Sequence, residues 1–192
     1  MADRNIIGNG RVTDTKLDSL KVSGSCVVEN DIELDEAKIA GATSFKGNVD
    51  ADTIKIAGSC EFCQNVKCDE LKIAGSAKVY GNVEAEDCSI SGILNVTGDF
   101  NADNIYIACV NSTFNNIYGD NLECELNAEH NKNHHNVANE IEVTKLTITN
   151  FIVKRISADR IKIGENCEID VVEFKDSLEI SKDAKIKKII KL

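Results

Sequence analysis

The chain has 192 residues and a formal net charge of −10, with 42% hydrophobic and 28% charged residues. That length suits one domain, and the acidic balance argues against DNA or RNA as the main partner, because neutralising phosphate needs a basic face. Proline is absent and glycine numbers 12, so no linker composition divides the chain. No stretch approaches the roughly 20 apolar residues of a membrane span. The segment from Met1 to Gly8 lacks the apolar core of a signal peptide, and a cytoplasmic location is expected.

In chain order, residues 1–19 read as an N-terminal partial coil, with Leu17-Asp18 matching a vertex that recurs later. Residues 20–126 then carry a unit of 17 residues without slippage. Leu20, Ala37, Ile54, Leu71, Cys88, Ile105 and Leu122 occupy its first position. Two residues on stand Val22, Ile39, Ile56, Ile73, Ile90 and Ile107. Further columns are Gly24, Gly41, Gly58, Gly75, Gly92, and Ile32, Val49, Val66, Val83, Phe100. A fixed period of this kind marks units that bury their apolar faces only against their neighbours.

Within each unit the apolar residues alternate, which is strand spacing. A step of three, as in Ala51-Asp52-Thr53-Ile54, keeps the next strand facing inward. Two other corners are centred on the column glycine (Gly58, Gly75) and on Gly-Asn (Gly47-Asn48, Gly81-Asn82). Left-handed backbone is expected at these corners, since glycine and asparagine tolerate it. Three strands and three corners per turn make a triangular coil, and coils stacked ~4.8 Å apart make a parallel β-helix. About six inward side chains per coil, at ~1.5–3 kcal/mol per fully buried aliphatic, build a core that no single turn could supply.

The outside is laddered too. Lys21, Lys38, Lys55 and Lys72 share one position; Asp35, Asp52, Asp69, Glu86, Asp103 and Asp120 share another. These ladders are expected to screen one another at one vertex and to stay solvated. The sharper reading is lateral pairing between filaments. The eight cysteines mostly take inward slots, where free cysteine behaves as a small hydrophobe. Cys60-Glu-Phe-Cys63 has metal or redox spacing, but residues three apart on a strand face opposite ways, and a lone CxxC is a weak signal.

The register fades after Leu126. Residues 127–140 read as a polar loop insertion carrying His130, His134 and His135, and a mobile surface excursion outweighs a metal site there. Residues 141–192 resume the coil: a rung of about 15 residues around Leu146 to Asp159, then Ile161, Ile163, Cys167 and Ile169 matched at 17 by Leu178, Ile180, Ala184 and Ile186. Val172 and Phe174 fit with a one-residue shift. The count is about ten coils in one 1–192 domain, ~45–50 Å long. No phosphate-cradling loop appears, no histidine lies on a regular rung, and the carboxylates sit on exposed vertices. No enzyme, cofactor or metal is expected.

The rung Leu71 to Ala85 (Leu-Lys-Ile-Ala-Gly-Ser-Ala-Lys-Val-Tyr-Gly-Asn-Val-Glu-Ala) and its copies resemble the bactofilins, polymer-forming bacterial cytoskeletal proteins. The likeness covers residues 5 to 126 well and 141 to 192 more loosely, and the two-part length resembles the longer form of Gram-positive spore-forming bacteria. It implies a right-handed parallel β-helix and end-to-end, nucleotide-independent filaments that scaffold cell-shape or envelope processes. Some members bind membrane through the N-terminus; the disordered tails usual in the family are not seen in this sequence.

The residues themselves lead to a related expectation. A β-helix leaves strand edges and apolar core open at its ends. Ile6, Ile7 and Val12 lie near one end; Ile186, Ile189, Ile190 and Leu192 lie near the other. Stacking of such ends propagates into a fibre, making the chain its own partner. The alternative is a non-polymerising module, its ends capped (for instance by Lys185, Lys187, Lys188 and Lys191), that displays a vertex or the 127–139 loop to a protein partner.

Overall fold

The computed structural model describes residues 2–126 and 133–192. Among these residues the strands run β1 (Asp3–Ile6), β2 (Asn9–Val12), β3 (Lys16–Val22), β4 (Ser25–Val28), β5 (Ile32–Ile39), β6 (Ala42–Phe45), β7 (Val49–Ile56), β8 (Ser59–Phe62), β9 (Val66–Ile73), β10 (Ser76–Val79), β11 (Val83–Ile90), β12 (Ile93–Ile107), β13 (Thr113–Cys124), β14 (Asn136–Ile148), β15 (Phe151–Ile163), β16 (Glu168–Ile180) and β17 (Lys185–Lys191). They wind into an all-β parallel solenoid of about eleven turns, consistent with a right-handed β-helix.

The apolar columns stack as the repeat requires. Ile32 lies on Val49, Val49 on Val66, Val66 on Val83, and Val83 on Phe100. The same column continues through Ile117, Ile141, Ile156, Val172 and Ile189. All its members except Ile189 are buried. The column from Leu20 to Leu122 extends through Leu146 and Ile161 to Leu178. Aromatic pairs lie flat on one another inside, with ring centroids 5.0 Å apart for Phe45 and Phe62, a spacing favourable for stacked rings. The expected one-residue shift at Val172 and Phe174 is present: Ile156 pairs with Val172 and Ala158 with Phe174, 16 apart, and the register then slips before Arg160 meets Ser177.

The step of three forms a vertex inside the long strands. In β7, Ala51 and Ile54 point inward while Asp52 and Thr53 between them do not. The ladder pairs Leu34 with Ala51 and Glu36 with Thr53, skipping Asp35 and Asp52.

The glycine and Gly-Asn corners differ from expectation. Positive φ occurs, among the described residues, at Gly8 (90°), Asn111 (69°), Asn150 (57°) and Asn166 (56°), and not at Gly24, Gly41, Gly58, Gly75, Gly92 or the Gly-Asn corners. Glycine is needed there because the coils touch. A Cβ on Gly58 would lie 2.0 Å from the Gly41 carbonyl oxygen, and one on Gly75 2.0 Å from that of Gly58.

The stretch 127–140 is shorter as an interruption than its polarity suggests. β14 opens at Asn136, and Asn136 and Ala138 are buried. The inward alternation tolerates Asn136 because its amide satisfies neighbouring backbone: it accepts from the Ser112 N–H (3.0 Å) and donates to the Cys109 carbonyl (2.8 Å). Residues 127–132, with His130, lie outside the described residues.

Candidate assembly surfaces

At the N-terminal end, β1 lies on β3 and β2 on β4. Arg4 stands in register with Leu20, the first member of an inward column. Instead of an apolar side chain, this slot therefore carries a guanidinium. Arg4 donates twice to Asp14, from Nε to Oδ2 and from Nη2 to Oδ1, at 3.0 Å each. The bidentate contact lowers the Asp14 carboxyl pKa, as a guanidinium fork on a carboxylate does. Of the residues expected at this end, Ile7 is 81% exposed, Ile6 is half-buried against the core, and Val12 is buried and presents no free side chain.

The other end is more apolar. β17 pairs with Glu168–Phe174 and leaves Ser177–Ile180 of β16 with a strand on one side only. Ile189 is 49% exposed, Leu192 60% and Ile180 41%. Ile186 is half-buried over Ile169. Ile190 pairs with Glu173, on the outward row, and so faces the flank rather than the tip. Leu178 and Ile180 were not among the residues expected at the end. Lysines border this surface, and several are tied down: Lys185 to Glu168 at 2.6 Å and Lys187 to Asp170 at 2.7 Å. The Lys185 ammonium lowers the Glu168 carboxyl pKa.

The flanks carry three ladders. At the Gly-Asn corner each side chain holds the next coil: Asp31 Oδ1 accepts from the Asn48 N–H (2.7 Å), Asn48 from Asn65 (3.2 Å), Asn65 from Asn82 (2.9 Å) and Asn82 from Asp99 (2.9 Å). The lysine ladder is anchored by Glu36, which takes Lys38 at 2.6 Å and Lys55 at 3.3 Å, and by Glu70, which takes Lys72 at 2.5 Å. Its expected screening by the aspartate ladder is not what the structure holds. Asp35, Asp52, Asp69, Glu86 and Asp103 are exposed and, among the described residues, have no cation within ion-pair distance. The vertex turns these carboxylates away from the strand, while the glutamates beside them lie on it.

Other chemistry-bearing residues are structural. All eight cysteines are free, and six are buried. Burial pushes the Cys68 and Cys124 thiols up to about 12 and Cys167 to about 11, because desolvation disfavours the thiolate. Cys60 is buried and Cys63 partly exposed, facing apart as strand alternation requires. His134 Nδ1 lies 3.1 Å from Asn111 Oδ1 and His135 Nε2 3.0 Å from Asn166 Oδ1. Among the described residues no group of three His, Cys, Asp or Glu is placed to hold a metal ion, and no helix is long and apolar enough to cross a membrane.

A repetitive solenoid with laddered flanks and an apolar tip defines a structural repeat protein. Residues 5–84 match the family model for bactofilin, described as polymer-forming cytoskeletal. No curated protein and no solved structure gives a significant match.

Proposed function

We propose that this protein is a cytoplasmic scaffold that assembles end to end, without nucleotide, into filaments supporting cell-shape or envelope processes. The bactofilin match and the solenoid fold support a polymer-forming cytoskeletal protein. The observation that carries the end-to-end reading is the exposed apolar surface of Ile180, Ile189 and Leu192 beside unpaired strand edges. Stacking another copy there extends the hydrogen-bond ladder and removes apolar area from water. Electron microscopy of the full chain without nucleotide tests it. Filaments are expected, and Ile189→Asp should shorten them; filaments unchanged by that substitution would count against the interface.

One observation favours a second reading. The Arg4–Asp14 pair puts charge at the N-terminal opening, which suits a closed end. A module growing from one end only would stop at pairs, and sedimentation would show a single species of twice the monomer mass at every concentration.

A further inference from the structure

The face running from the aspartate vertex to the glycine vertex repeats one pattern per coil: Glu36, Lys38, Ala40; Thr53, Lys55, Ala57; Glu70, Lys72, Ala74. Its lysines and alanines line a shallow groove over Ile39, Ile56 and Ile73 that spans four coils. One border of the face is the carboxylate ladder, of which Asp35, Asp52 and Asp69 have no cation within ion-pair distance among the described residues. The other is a lysine strip in which Lys38, Lys55 and Lys72 share two glutamates, leaving the strip net cationic. We propose that two copies of this chain pair side by side through this face with their axes parallel, the carboxylate ladder of each lying against the lysine-bordered groove of the other.

Pitch selects the occupant. A ligand that answers every coil must repeat at ~4.8 Å along the axis, and a second solenoid does so by construction. Symmetry selects the orientation. A two-fold axis parallel to the solenoid sets the acidic border of one copy opposite the basic border of its mate, and the reverse, in a closed isologous contact. A two-fold axis across the solenoid would set carboxylates against carboxylates. Each exposed ion pair contributes little, but the contacts repeat coil after coil and act together once the first forms. Exposure also makes them salt-sensitive.

The pairing does not depend on end-to-end growth. The test therefore uses the full chain carrying Ile189→Asp, so that tip stacking and lateral pairing are read separately. Sedimentation velocity should give twice the monomer mass at low ionic strength and monomer at about 1 M salt, where the screening length is about 3 Å. The triple substitution Lys38→Glu, Lys55→Glu, Lys72→Glu should be monomeric alone. So should Asp35→Lys, Asp52→Lys, Asp69→Lys. Mixed in equal amounts, the two should pair again, because one then carries two acidic borders and the other two basic ones. A monomeric parent at low salt, a lysine variant that still pairs, or a mixture that stays monomeric would each overturn the proposal. Circular dichroism establishes that both variants are folded; should either unfold, the neutral Lys→Gln and Asp→Asn triples replace them and should each lose pairing.

Discussion

Ile117 lies directly beneath Ile141, in register across a separation of 24 residues. The coils before it repeat at 17, so this one carries seven residues more than they do. Removing the seven residues 127–133 should leave a coil of ordinary length. The shortened chain is expected to keep its β-sheet circular dichroism and a single cooperative melt; loss of either would mean that the segment supports the coil.

Gly58 shows where the solenoid tolerates no side chain. Gly58→Ala places a methyl against backbone that is itself held in the ladder. The expected loss is about 2–3 kcal/mol, at the upper range for overpacking, read as a lowered denaturation midpoint. Ala57→Gly, one residue away on an exposed position, is the comparison and should cost less.

Asn136 holds together the coils on either side of the interruption. Asn136→Leu would leave the Ser112 N–H and the Cys109 carbonyl without their partner. At about 1–3 kcal/mol for each of the two groups left unsatisfied, a loss of about 2–6 kcal/mol is expected. Equilibrium denaturation measures it, and an unchanged midpoint would contradict the role.

The buried thiols set the alkaline limit of stability. Their folded pKa values are raised by burial, to about 12 for Cys68 and Cys124. A raised pKa means the folded chain keeps protons that the unfolded chain releases. This contribution is complete below the ordinary thiol range of about 8.5 and is lost as pH climbs towards 12. The denaturation midpoint should therefore fall above about pH 9. Cys68→Ala, with Ala51 and Ala85 as its neighbours in the same column, should make that fall shallower. In the native state near neutral pH, only Cys63 and Cys109, which are partly exposed, should react with an alkylating reagent.

Much of the fold was legible because the repeat writes each inward column at a fixed interval. Val49, Val66 and Val83 could be stacked from spacing alone, and the one-residue shift of Val172 and Phe174 was visible as a slip in alternation. Gly58 was placed correctly for the wrong reason. Spacing reveals that a corner exists but not how near the next coil passes. The hydrogen bonds that Asn48 Oδ1 accepts from the Asn65 N–H, and Asn65 Oδ1 from the Asn82 N–H, went unread because a recurring amide looks like turn chemistry until the coils are superposed. Asn136 was missed because a buried amide within Asn-His-His-Asn reads as solvated loop. At the ends, Ile189 was found from its apolarity, whereas the exposure of Ile180 follows from how far β17 reaches over β16. The charge at the N-terminal opening was unreadable, since Arg4 takes an inward slot only because the first coil spans 16 residues, one fewer than the regular repeat.

Association in the absence of nucleotide is the most direct measure of the proposed role. Purified full-length chain should form filaments whose mean length rises with concentration in electron micrographs, and Ile189→Asp should shorten them while preserving the circular dichroism spectrum. Particles of uniform size, about 50 Å long as eleven stacked coils dictate, at every concentration would contradict it.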